Sequence, residues 1–203
     1  MNANELKRLA TRADGRRGAT DARSRFVDAA VIAGAVDVAV GAVESPVGRL
    51  YVAVTPKGVA RVAFADEDRD DVLAELAERL SPRILESERA TAAIRRELEQ
   101  YFDGRRTRFD VPVDRRLIRG IARDVLGATS KIPFGRTSTY RDIAERIGRP
   151  RAARAVGNAL GSNPIPIVIP CHRVLRSGGA LGGYGGGIPR KQHLLALEAE
   201  SSR

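Results

Sequence analysis

Between Val36 and Phe64 the apolar residues recur on a short period and are cut at intervals by turn formers. Val36 to Val43 and Leu50 to Val54 flank the turn signal Ser45-Pro46-Val47-Gly48, and Pro56-Lys57-Gly58 separates the second run from a third, Val59 to Phe64. Connections this short predict strands paired antiparallel, because parallel neighbours need a long crossover. The spacing then lengthens to that of a helix at Val72, Leu73, Leu76 and Leu80, and again at Ile94, Leu98, Tyr101 and Phe102. The first half therefore reads as an α/β unit, an antiparallel sheet with helical cover. After Asp110-Val111-Pro112-Val113 the strand signals stop, Leu117 to Leu126 predicts a further helix, and the rest is mostly short helices. These shifts divide the chain into a basic N-terminal arm over 1–34, an α/β domain over 35–112 and a helical domain over 113–203.

Within the helical part, Thr139 and Asp142 have the spacing of a capping box, with Tyr140 opening the helix. Tyr140, Ile143, Ala144 and Ile147 share a face, Gly148-Arg149-Pro150 ends the helix, and Pro150 is placed to begin the next. The pattern is a helix-turn-helix. Along its second helix Ala152, Ala155, Val156 and Ala159 make a narrow apolar stripe, while Arg151, Arg154 and Asn158 fall on the opposite side. Small residues allow close packing on one side, and an Arg/Asn face suits a DNA groove. Exposed helical arginines are also common as a merely solvated face, so this segment alone leaves both readings open.

Composition narrows the partners. The 203 residues are 43% hydrophobic and 30% charged, an ordinary globular balance with material for a core. Thirty-five Lys and Arg against 25 Asp and Glu give a net charge of +10, which favours polyanions such as nucleic acid. A single cysteine excludes an internal disulfide and any zinc site built on several thiolates, and suits a reducing compartment. No stretch reaches the roughly 18 apolar residues of a membrane span. The polar opening Met1-Asn2-Ala3-Asn4-Glu5 lacks a secretory apolar core, so the expected location is cytoplasmic, with no membrane partner.

The cysteine follows Asn163-Pro164-Ile165-Pro166-Ile167-Val168-Ile169-Pro170, whose prolines remove amide donors and predict an extended segment delivering Cys171-His172-Arg173. A lone cysteine is more often an inert buried apolar residue than a nucleophile, and position alone favours that reading.

The string Pro164 to Val174, with its Pro-Cys-His-Arg core, closely resembles the active-site signature of the O6-alkylguanine-DNA alkyltransferases, the methylated-DNA-protein-cysteine methyltransferases. The likeness extends through Ile132-Pro133-Phe134-Gly135, Ala152 to Ala159, Gly182-Gly183-Tyr184 and Leu194 to Glu198, and more loosely through Ser45-Pro46-Val47-Gly48 and Tyr101-Phe102-Asp103-Gly104. The resemblance implies a ribonuclease-H-like sheet domain followed by a helical domain with the helix-turn-helix. It implies irreversible, single-turnover transfer of an alkyl group from O6-alkylguanine, or O4-alkylthymine, to Cys171, with no cofactor; no metal is expected, because the thiol ligands for the structural zinc of some members are missing. His172, oriented by Glu198, would activate the thiol through a water, and Asn163 would brace the turn. Arg154 would fill the gap left by a flipped base, with Tyr140 rotating the phosphate and donating a proton to the purine. Arg151, Ala155 and Asn158 lie on the same DNA-binding helix, which the family sets in the minor groove of double-stranded DNA. The carbonyls of Cys171 and Val174 would read the guanine amine, and the loop at Tyr184 and Gly185 would close the pocket.

The chain departs from the family at Gly185, where many members have serine, and at Leu117-Ile118-Arg119-Gly120, which lacks the usual aromatic residue and glutamine. Three other readings compete: a binding-only protein that recognises alkylated DNA without repairing it, which Cys171 argues against; a helix-turn-helix regulator, which leaves the cysteine segment unexplained; and a cysteine hydrolase, which would share Cys171 and His172 but leave the Arg154 helix without a job.

Overall fold

The computed structural model describes residues 33–201 together with Val27, Ala29 and Ala30. Most of the basic arm expected over 1–34 therefore lies outside the described residues. Strands β1 (Val38–Val43), β2 (Leu50–Thr55) and β3 (Gly58–Phe64) form an antiparallel meander. A fourth, β4 (Ile84–Glu86), adds to the far side of β1, giving the order β3-β2-β1-β4. It pairs parallel, so the wholly antiparallel sheet expected from sequence is corrected at one edge. The return is made by helix α1 (Arg69–Arg79), which supplies the crossover that a parallel neighbour requires.

Helix α1 begins at Asp68, whose carboxylate accepts the amides of Asp70 and Asp71, and α2 (Glu88–Phe102) begins at Ser87, which caps Ala90. Caps of this kind stabilise a helix by about 1 kcal/mol each. The two helices cover opposite faces of the sheet. Alternation along β1 turns Val38 and Val40 toward α1, and Val43 into the main core with Leu50, Val52, Ile94 and Leu98.

The outer edge of β3 anchors the second half. The Val59 amide donates to Pro112, the Asp114 amide donates back to Val59, and the Val62 amide donates to the Pro164 carbonyl at the start of the cysteine segment. An edge strand that would otherwise expose free amides thus fixes the segment that leads to the cysteine. Beyond it lie α3 (Ile121–Thr129), α4 (Tyr140–Arg146), α5 (Ala153–Gly161) and α6 (Ile188–Ser201). The helix expected from Leu117 starts only at Ile121, because Gly120 sits at φ 55 and breaks the chain after a 3₁₀ turn at Arg115–Leu117. A two-stranded parallel ladder of β5 (Ser138–Thr139) and β6 (Val174–Leu175) ties the start of α4 to the end of the cysteine turn. Val125, Leu126, Ile143, Val156, Ile165, Ile167, Ile169 and Leu194 join the same core as the sheet, so both halves share one apolar interior.

Candidate active site

Cys171 sits in a 3₁₀ turn, Cys171–Arg173, fed by a segment that is coiled rather than extended. The Val168 amide donates to the Pro166 carbonyl at 2.9 Å, closing a γ-turn with Ile167 at φ 73. This positive-φ γ-turn is the rare, strained kind, of order 1–3 kcal/mol for a non-glycine residue. The cost is met by burying Ile165, Ile167 and Ile169 completely or nearly so. Asn163 stitches the coil together: its Nδ2 donates to the Ile169 carbonyl at 2.9 Å and lies 3.1 Å from Cys171 Sγ, while its Oδ1 accepts the Ile165 amide at 3.0 Å. Proline content foretold the loss of helix, but the turns depend on these side-chain and core contacts.

Burial pushes the Cys171 thiol up to about 11, against the Asn163 bond, the Lys191 charge and the amides of Cys171 and His172. His172 is fully buried, and burial also lowers its pKa, opposed by Glu198. The resting pair is therefore a neutral thiol beside a neutral imidazole.

His172 Nε2 lies 2.9 Å from Glu198 Oε1. Burial works against the Glu198 charge, but bonds from His172 and Arg173 win and hold the carboxyl at about 2. An ionised carboxylate can only accept, so Nε2 carries the proton and Nδ1 is left as the basic atom. Nδ1 is buried and has no hydrogen-bond partner among the described residues. Glu198 is also gripped by Arg173, with Nε 2.9 Å from Oε2 and a terminal nitrogen 2.8 Å from Oε1. The Tyr101 hydroxyl donates to Oε1 at 2.8 Å and the Gly135 amide to Oε2 at 3.1 Å. Sequence reasoning gave no role to Arg173 or Tyr101; the signal for Arg173 was its place in the Pro-Cys-His-Arg string.

The glycine-rich loop forms the opposite wall. Cavities of about 320 Å³ and 220 Å³ adjoin here and share Leu160, Gly161, Cys171, Tyr184 and Gly185; the first reaches Asn163 and the second Tyr140. Tyr184 packs its ring edge-on to His172 at 6.4 Å and to Phe64 at 6.2 Å. A Cβ at Gly185 would stand 3.0 Å from the Gly161 carbonyl, so the absence of a side chain lets the loop close on the end of α5. Lys191, fully buried, was not anticipated either. Its Nζ donates to the Val174 carbonyl at 2.6 Å, to Gly183 at 3.3 Å and to Leu181, tying the loop to the cysteine turn. Three acceptors favour the ammonium, against burial that lowers its pKa to about 8. Lys191, Leu194 and Glu198 share the buried face of α6 at helical spacing, a signal that was present in the sequence.

The helix-turn-helix borders this pocket. Thr139 and Asp142 form the full capping box, each side chain accepting the other's amide. The Tyr140 hydroxyl reaches the Gly183 carbonyl at 3.5 Å, and burial raises its pKa, so it remains a phenol. Helix α5 starts at Ala153, leaving Pro150 and Arg151 in the turn rather than in the helix. Arg151, Arg154 and Asn158 are exposed, Ala155 is half-buried, and neither arginine side chain has a hydrogen-bond or ion-pair partner among the described residues. Among the described residues no helix is long and apolar enough to cross a membrane.

Residues 38–115 match the family model described as the ribonuclease-like domain of 6-O-methylguanine DNA methyltransferase, and residues 121–200 match its DNA-binding domain. The chain is 52% identical over 119 residues to a methylated-DNA–protein-cysteine methyltransferase of Mycolicibacterium paratuberculosis, covering 58% of this chain and 70% of the relative. Further mycobacterial relatives of that name are matched over 61% of their length. A Methanosarcina barkeri relative of the same name is 38% identical over 162 residues, 79% of this chain and 97% of its own. The crystal structure of Mycobacterium tuberculosis OGT in complex with DNA superposes with a TM-score of 0.68 at 37% identity, covering 81% of this chain and 93% of the other. Both domains are matched in their order, with the cysteine turn inside the second: the chain belongs to the 6-O-methylguanine DNA methyltransferase family.

Proposed function

We propose that this chain repairs DNA by moving an alkyl group from O6 of guanine to Cys171 Sγ, once per molecule. The observation that carries the reading is the placement of the lone thiol where two cavities meet, beside a histidine whose proton-bearing nitrogen is committed to Glu198. His172 Nδ1 is the base that takes the thiol proton, through a bridging water, as the alkyl carbon approaches. The S–C bond forms as the C–O6 bond breaks, and the electron pair of that bond stays on the purine. The Tyr140 hydroxyl gives the departing purine a proton. Imidazolium and phenolate then exchange protons with solvent, so the thiol proton ends, in sum, on guanine. The thioether product is a poor leaving group, which limits each molecule to one event.

The thiolate forms only during reaction, since burial keeps Cys171 protonated at rest. Asn163 holds the turn, the Val174 and Cys171 carbonyls face the guanine amine, and Tyr184 with Gly185 closes the pocket. The lesion is read in double-stranded DNA from the minor groove, with α5 as the inserted helix: Arg154 occupies the vacated stack, and Arg151, Ala155 and Asn158 flank it. Flipping the base costs a few kcal/mol, which the DNA contacts must supply. O4-alkylthymine offers the same oxygen-bound alkyl carbon and is a second substrate on this reading. The division into an arm over 1–34, a scaffold domain over 35–112 and a DNA-binding domain over 113–203 belongs to the same proposal, as does a cytoplasmic location, which suits a thiol that must stay reduced. The test is stoichiometry: with DNA carrying labelled O6-methylguanine in excess, transfer should stop at one methyl per protein. Continued turnover, or binding without transfer, would remove the proposal.

A further inference from the structure

We propose that Tyr101, on α2 of the sheet domain, is a positioning residue for alkyl transfer: its hydroxyl draws charge from Glu198 and so sets the basicity of His172. This rests on the reading that His172 is the base. Tyr101 is fully buried and donates to Glu198 Oε1 at 2.8 Å across 97 residues of sequence. The same oxygen serves His172 Nε2 at 2.9 Å and an Arg173 nitrogen at 2.8 Å. Packing fixes the phenol in place. Its ring stands edge-on to Phe102 at 5.3 Å and to Phe134 at 6.0 Å, and tilted against Phe109 at 5.5 Å. Phe134 precedes Gly135, whose amide holds the other carboxylate oxygen, so ring and amide fix Glu198 from one loop.

A phenylalanine would fill this space equally well, and the Arg173 fork already neutralises the carboxylate. The hydroxyl makes Tyr101 a third donor residue, after His172 and Arg173, at the oxygen that faces the histidine. Donors sharing one oxygen divide its charge, so each weakens the pull on the others. Burial, and then the Glu198 charge, keep the phenol protonated and hence a donor throughout the working range. The other groups facing His172 are Lys191 on α6, Arg173 and Cys171 beside it, and Tyr184 from the loop; none of them meets Tyr101's oxygen partner except Arg173. Tyr101 is thus the polar contact, made through Glu198, by which helix α2 of the sheet domain reaches the reacting histidine.

The chain has two histidines, so the His172 ring can be followed by NMR titration, assigned with His193→Gln. Tyr101→Phe removes the donor, leaves more carboxylate charge for the imidazolium, and should raise the His172 midpoint by about half a pH unit. The acidic limb of single-turnover transfer should move up with it. 3-Fluorotyrosine at position 101 is a stronger donor and should move both downward. An unchanged midpoint in the folded Tyr101→Phe protein, or no opposite shift with the fluorinated residue, would reduce Tyr101 to packing. If Tyr101→Phe does not fold, the fluorinated protein decides alone. The titration needs no transfer, so a parent protein that fails to accept a methyl group would overturn the function and not this contact.

Discussion

The two functional regions are built in opposite ways. Around Glu198 every donor is committed: His172, Arg173, Tyr101 and the Gly135 amide converge on one buried carboxylate. On the outer face of α5, upstream of the cysteine, Arg154 and Asn158 are exposed and the Arg154 guanidinium has no partner among the described residues. The first region is preorganised from within, so chemistry needs no rearrangement of its polar groups. The second leaves its cation solvated, as suits a surface whose partner supplies the opposite charge. Changes to the first should therefore damage reaction and stability together, whereas changes to the second should damage only reaction on duplex DNA.

The largest effect is expected from Cys171→Ser. A hydroxyl cannot replace the thiolate, so transfer should vanish while duplex affinity stays within about twofold, because Cys171 is buried and presents nothing to the backbone of DNA. Methyl transfer persisting in that variant would remove the nucleophile from the account.

Glu198→Gln comes next and strikes both properties. It strands Arg173 without its counter-charge, a change that typically costs about 3–5 kcal/mol. It also withdraws support from the imidazolium, so transfer should slow by at least about tenfold. The sign of the pH dependence follows. The folded Glu198 carboxyl is held at about 2, below its ordinary 4.5, so its stabilisation is complete above pH 4.5 and is lost as pH falls toward 2. Thermal unfolding across that window should show a steeper acid loss in the parent than in Glu198→Gln. Parallel curves would mean that the carboxylate is not stabilised by its donors.

Arg154→Ala sharpens the contrast from the other side. Repair of duplex DNA should fall about tenfold or more, whereas reaction with free O6-benzylguanine and the unfolding midpoint should hardly change. Equal losses on both substrates would place Arg154 in the reacting pocket. Gly185→Ala should have the smallest effect. Its Cβ meets the Gly161 carbonyl at 3.0 Å, so the loop must shift outward by a few tenths of an ångström, slowing transfer by no more than about threefold. A loss as large as that of Arg154→Ala would mean that the loop cannot give.

Local signals were legible and distant ones were not. The Thr139–Asp142 capping box and the three meander strands depend on neighbours in sequence, and the pattern announces them. Strand β4 has three residues, Ile84 and Leu85 half-buried and Glu86 exposed, too short for alternation to register. The coil at Ile167 could not be read, because no local rule puts a β-branched residue at φ 73; only burial of its side chain and the Asn163 bonds hold it there. The resemblance supplied Cys171, His172 and Glu198 as a set. Tyr101 and Lys191 escaped because an amphipathic pattern marks a buried face without saying which polar tip meets a carboxylate or a carbonyl across the fold.

The central claim is that the buried thiol itself receives the alkyl group. Mass spectrometry of the protein after reaction with duplex DNA containing O6-methylguanine tests it most directly, first intact and then as peptides. The account predicts a gain of one methyl group in place of one hydrogen, found on the peptide carrying Cys171 and nowhere else. An unmodified Cys171 in a protein that has removed the lesion, or a methyl group on any other residue, would contradict it.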